Sequence, residues 1–301
     1  MPLDVCGSLT EALCTLPSRP GLLVAKAVNL DVPGRDLPGE IRREIDRLQS
    51  GFHPDGSVDR DLLTTAWQVQ QLLDLGVPTG DPAVRNGVRW LCEQQGTEGA
   101  FGQGCTPERH RHHVCEHFVA SFFSPARSTT RIAPLTFPWG RTMRSEAAAR
   151  FAVSCVALQV VLRAGAWNRS VERHLDSFPA LQREWERWGG FLPPDLAFST
   201  LGCLARSPAH LPHTEALLAT IAGRQEADGS WPVTDPFHAL VGLLPCRDHP
   251  VAKRCLEALA PFVGNEVRPD GLVGGTAGLE RSWLAWDAWC RPQGTPSASE
   301  A

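Results

Sequence analysis

The sequence predicts an all-α protein, and three observations predict it. Face residues recur at helical spacing, as at Leu62, Thr65, Val69 and Leu72. Alternating β-branched runs bounded by turn residues, the mark of strands, do not occur. Helical runs are joined by turns that combine glycine with an aromatic residue, roughly every 40–50 residues and about six times along the chain.

The elements follow in order. A helical run from Glu40 to Leu48 leads into the turn GFHPDGSVDRD (51–61) and then DLLTTAWQVQQLLDLG (61–76). RWLCEQQGTEGAFGQG (89–104) leads into HVCEHFVASFF (113–123), and RSEAAARFAVSCVALQVVLRAG (144–165) is a long helical run without its own glycine turn. LQREWERWGGFLP (181–193) precedes DLAFSTLGCLA (195–205), and GRQEADGSW (223–231) precedes HALVGLL (238–244). LAPFVGNEVRPDGLVGG (259–275) precedes the last helical run, AGLERSWLAWDAWC (277–290). Residues 1–37 are expected to be a turn-rich segment wrapping a domain that spans 38–290, and residues 291–301 read as a disordered tail.

Composition narrows the function. The 301 residues carry a net charge of −4 without a long basic run, which gives no electrostatic reason for a nucleic-acid partner. No apolar run reaches the ~18–20 residues of a membrane span, and no signal peptide is expected. The ten cysteines lack regular spacing, so reduced thiols and a cytoplasmic location are the expectation. Ten tryptophans and twelve phenylalanines with no tyrosine make the aromatic surface dry and point to a small apolar molecule as partner.

Two architectures suit paired helices of this period, an open superhelix and a closed ring. Gln225 to Trp231 follows the pattern Q-x-x-x-G-x-W, which resembles the QW repeat of squalene–hopene cyclases and related triterpene cyclases. Gly189, Gly190 and Phe191 followed by Asp195 resemble the β subunits of protein prenyltransferases. The resemblance covers roughly residues 40–290 and implies a single (α/α)6 toroid of inner and outer helices around a central cavity. It implies less about chemistry, because one fold hosts several activities.

Polar residues that open the inner helices are the candidates for that chemistry. Asp61 and Thr64 share one helix face, Trp67 lies nearby, and together they are candidates to bind substrate. An Asp at a helix start also serves as a cap, which is the plainer explanation of Asp61. TDPFHALVGLL (234–244) resembles the Asp-x-x-His stretch of the prenyltransferase β subunits, which implies His238 as a zinc ligand with Asp235 beside it. The family's Asp-x-Cys ligand pair falls at Asp195, Leu196 and Ala197, where the cysteine is missing. The cyclases' Asp-x-Asp-Asp acid is also absent, leaving Asp195 as a lone acid. Another cluster, CTPERHRHHVCEHF (105–118), places His113, Cys115 and His117 where zinc or another divalent transition metal could be held. Trp283 and Trp286 form a helix face that either stabilises a passing carbocation by cation–π contact or fills the core.

The expected function is a small stand-alone enzyme that cyclises or rearranges an apolar, isoprenoid-derived substrate. Asp195, His117, His238 and Asp235 are its candidate catalytic residues. The alternatives are a metal-dependent lyase or transferase using the Cys/His cluster, and a non-catalytic ligand- or partner-binding module.

Overall fold

Helix starts in this chain are marked by side chains that accept hydrogen bonds from otherwise unpaired backbone N–H groups. In the computed structural model, Asp36, Asp61, Asp81, Ser145, Asn168 and Asp235 each cap a helix in this way. Proline in the first turn, where its missing N–H costs nothing, strengthens several of the same boundaries. The structure describes residues 3–29, 35–96, 123, 126–127, 129–190 and 192–292.

The described residues are mostly helical. The first helices are α1 (Leu3–Cys14), α2 (Arg19–Ala27), α3 (Leu37–Gln49), α4 (Leu62–Asp74) and α5 (Pro82–Glu93). A two-stranded antiparallel hairpin follows, β1 (Leu135–Thr136) and β2 (Thr142–Met143), with Leu135 opposite Met143. Then come α6 (Glu146–Arg163), α7 (Arg169–Ser177), the short α8 (Gln182–Glu186), α9 (Asp195–Leu204), α10 (Leu211–Ala222), α11 (Pro236–Leu243), α12 (Pro250–Gly264) and α13 (Gly278–Trp289). Helix α4 packs on α3, α5 and α6, and α6 packs on α9. Helix α9 packs on α10 and α11, α11 on α12 and α13, and α13 on α1 and α2. One continuous apolar core runs through these contacts.

Two expectations are corrected here. Residues 1–37 are not merely turns, since α1 and α2 occupy most of them. Pro20 and Gly21, which suggest a turn in the sequence, instead belong to the first turn of α2. Gly21 lets the two helices approach, because a Cβ there would lie 2.3 Å from the Leu16 carbonyl oxygen. Nor are all thiols reduced: a disulfide joins Cys6 on α1 to Cys290 at the end of α13. Near that bridge the Trp286 indole donates to Thr10 Oγ1 at 2.9 Å. Among the described residues no helix is long and apolar enough to cross a membrane. The expected tail beyond Pro292 lies outside the described residues.

The stretch GRQEADGSW has a mechanical role. Its Asp228 carboxylate accepts from the Ser230 backbone N–H and hydroxyl at 2.9 and 2.7 Å, which bends the chain and sets Gly229 at φ +86°. A Cβ on Gly229 would lie 1.9 Å from the Ala258 carbonyl oxygen, so the turn presses on the backbone of α12. Gln225 Nε2 donates to the Gly229 and Cys255 carbonyls at 2.8 and 2.9 Å. Trp231, 3% exposed, donates to the Ile221 carbonyl at the end of α10 at 2.8 Å and packs edge-on to Phe198 of α9. One turn therefore holds three helices.

The stability of the motif can be measured by chemical denaturation. Trp231→Ala should cost about 3–5 kcal/mol, the usual loss for a buried tryptophan. Gly229→Ala should be comparably damaging although it adds only a methyl group, because both the positive φ and the Ala258 carbonyl oppose it. A loss below about 1 kcal/mol for either would contradict the account of the turn.

Candidate functional site

Two polar groupings lie inside the helical assembly, and the β1–β2 hairpin connects them. The first is built at the starts of α9 and α11. Asp195 opens α9 and is completely buried; its carboxylate forms an ion pair with Arg141 and accepts from the Asp235 N–H at 3.2 Å. Asp235 accepts from the Phe237 and His238 N–H groups and pairs with Arg281 at 2.8 Å. Arg281 also donates to the Trp139 carbonyl at 2.9 Å and lies over the Phe237 ring.

His238 is held on both ring nitrogens. The Trp139 indole N–H donates to Nδ1 at 3.1 Å, so Nδ1 offers its lone pair and the proton sits on Nε2. Nε2 then reaches the Asp195 carbonyl oxygen at 3.0 Å and Ser199 Oγ at 2.9 Å. Burial pulls the imidazole down to about 4, outweighing the opposing charge of Asp235. Burial likewise pushes the Asp195 carboxyl up to about 6, against the pull of Arg141. A zinc ion needs an imidazole lone pair, and the His238 lone pair is taken by Trp139. Among the described residues no group of three or more His, Cys, Asp or Glu side chains is placed to hold a metal. His113, Cys115 and His117 lie outside the described residues.

The second grouping surrounds a cavity of about 110 Å³ where α2, α4, α6, α11 and α13 converge. Trp67, Trp139 and Trp283 form much of its apolar wall. Its charged residues include Arg19, Asp74, Arg206 and Glu280. Arg19 bridges Asp74 and Glu280, and Arg163 pairs with the other Asp74 oxygen at 2.5 Å. Gln70 adds a hydrogen bond to Asp74 at 3.1 Å. Burial raises the Glu280 carboxyl, with Asp74 adding to the effect and Arg19 opposing it.

The remaining sequence candidates divide by role. Asp61 is exposed and caps α4, accepting from the Thr64 N–H and hydroxyl at 2.7 Å each, so this pair is a helix cap. Trp67 does line the cavity, but Arg19 covers its ring at 5.1 Å. Trp283 lines it too, stacked on Trp286, while Arg291 lies over both rings. Trp286 is completely buried and fastens α13 to α1.

The residues that sequence reasoning missed are those on the hairpin and the buried arginines. Phe137 and Trp139 stack at 4.9 Å in the hairpin turn, from which Arg141 reaches Asp195. The segment TFPWGR does hold a signal, a Pro/Gly turn set between aromatic residues, although its flanking strands are two residues each.

The opposing shifts make a pH measurement informative. Folded His238 resists protonation until about pH 4, whereas an unfolded histidine protonates near 6.5. Across that window the unfolded chain binds more protons, so His238 makes stability fall as pH drops. Asp195 works in the other direction between 3.8 and about 6, because the folded carboxyl keeps a proton that the unfolded one releases. His238→Gln should therefore flatten the acid loss by about 1.4 kcal/mol per pH unit relative to the unaltered chain. Parallel stability curves for the two proteins between pH 4 and 6.5 would show that His238 is not held neutral.

No protein-family model matches the chain, and no curated protein does. Among solved structures it is similar to a protein from Actinoplanes, with 16% identity and a TM-score of 0.51. The match covers 94% of this chain and 88% of that one, a likeness that concerns the fold alone.

Proposed function

We propose that the chain is an (α/α)6 toroid enzyme that encloses a small substrate in its central cavity and transforms it by proton transfer, with Asp195 as the acid. The order of helix contacts supports the ring. Helices α2, α4, α6, α9, α11 and α13 would form the inner wall, since α4 meets α6, α6 meets α9, and so on to α13, which meets α2. Helices α1, α3, α5, α7, α10 and α12 would stand outside. The final Asp–Gly turn supports closure as well, because Gly271 presses on the Ser8 carbonyl of α1 as Gly229 presses on α12. These features accord with the resemblance to terpene cyclases and prenyltransferase β subunits.

One observation carries the enzymatic reading: Trp139 belongs to both groupings. Its ring walls the cavity while its N–H fixes His238, and Arg141 two residues on covers Asp195. A buried carboxyl held near pH 6, joined to the cavity wall through the Trp139–Arg141 hairpin, suits a general acid. Arg141 is the group that must move for a substrate to reach it, and its side chain is 28% exposed. The cavity is well below the ~300–1,000 Å³ of pockets for drug-sized ligands. That favours a short substrate over a long isoprenoid chain.

Proton transfer to carbon leaves an isotopic record. Small alkenes, enoates and ketones incubated with the protein in heavy water should include at least one that gains deuterium, read by mass spectrometry. Asp195→Asn should abolish the exchange while melting within a few degrees of the parent. Equal exchange by this variant would remove Asp195 from the role of acid, and no exchange across the panel would count against the enzyme.

A further inference from the structure

The charges around the cavity do not balance. Three guanidinium groups, those of Arg19, Arg163 and Arg206, meet two carboxylates, those of Asp74 and Glu280. Asp287, also on the wall, is already engaged by Arg247 and Arg291. Arg206 has no carboxylate partner among the described residues and gives Nη1 to the Gly202 carbonyl at 3.0 Å. Four buried N–H-bearing atoms have no hydrogen-bond partner among the described residues: Arg19 Nε, Arg163 Nε, Arg163 Nη2 and Arg206 Nε. A buried donor without an acceptor costs roughly 1–3 kcal/mol, and more when it is charged. Burial, and after it the neighbouring Arg163 charge, pulls Arg206 down to about 10. Both the missing acceptors and the surplus charge call for an anion.

We propose that the cavity binds a short-chain carboxylate, with its carboxylate on the Arg206 guanidinium and its short apolar body against Trp67, Trp139 and Trp283. This rests on the cavity being the substrate chamber and adds the substrate's class. Guanidinium forks match the two oxygens of a carboxylate, and such charge-assisted bonds are the strong ones in a dry site. Size supplies the second limit. A dry cavity of about 150 Å³ holds a benzene ring; at about 110 Å³ this one suits an acid of a few carbons. Asp74 and Glu280 engage Arg19, whereas Arg206 Nε has no hydrogen-bond partner among the described residues and remains as a donor for the ligand.

Crotonate and crotonamide share a planar carbon skeleton and differ in the charge at one end. Titrated at matched ionic strength, crotonate should raise Tm saturably and quench tryptophan fluorescence, and crotonamide should bind at least tenfold more weakly. Arg206→Gln should shift the crotonate midpoint at least tenfold to higher concentration. Equal binding of the two probes overturns the carboxylate assignment but leaves the cavity as a ligand chamber. Binding of neither overturns the assignment and the chamber together. An unchanged crotonate midpoint in Arg206→Gln also overturns it, and should that variant fail to fold, the comparison of the two probes on the unaltered chain decides.

Discussion

Three glycines meet the same constraint: each has a backbone pressed so closely on the next helix that no side chain fits. Gly56, Gly229 and Gly271 all have positive φ, and a Cβ on each would fall within 2.6 Å of a backbone oxygen. The oxygens belong to Asn86 of α5, Ala258 of α12 and Ser8 of α1. In each turn the preceding Asp (Asp55, Asp228 or Asp270) accepts from the backbone N–H two residues ahead of it. Because each turn also leads into a further helix (α4, α11 or α13), the contact fixes the position of that helix start. Asp235, His238 and the cavity wall depend on that placement, since a shift of an ångström at the start of α11 would separate His238 from Trp139.

Such a frame can carry groups that would be costly elsewhere. Buried ion pairs seldom add net stability, because desolvating both charges offsets most of their attraction. The network of Arg19, Arg163, Asp74 and Glu280 is thus poor evidence of a stabilising device. Arg206, half-buried and without a carboxylate partner among the described residues, is still less suited to that role. The apolar core and the turn contacts are the features that supply stability.

The sequence was most legible where local chemistry decides the outcome. The helical run predicted over 144–165 is α6, Glu146–Arg163, and the Asp61 cap and the Trp231 turn are both visible in short motifs. It was least legible where distant residues meet. Arg19, Asp74, Arg163 and Glu280 come from four separate helices and Arg206 from the loop after α9, and arginine in a helical run reads as a solvated face until the helices are assembled. The Cys6–Cys290 bridge spans 284 residues and has no local signature. The hairpin that joins the two polar groupings is too short for period-two patterning to reveal.

The sign of the cavity charge also bears on the kind of chemistry it favours. Tryptophan faces stabilise a carbocation only while they are free to meet it. Here Arg19 lies over Trp67, and Arg291 lies over Trp283 and Trp286, so those faces already carry a cation. With a surplus guanidinium nearby, positive charge developing on a substrate would be repelled, whereas an anion or an enolate-like transition state would be stabilised. A resemblance to cyclases extends to the frame more readily than to their cationic mechanism, because the frame depends on turn glycines and the mechanism on the charges that line the cavity. In this chain the turn glycines and the guanidinium groups near the cavity are separate features, and only the latter bear on the charge a bound molecule would meet.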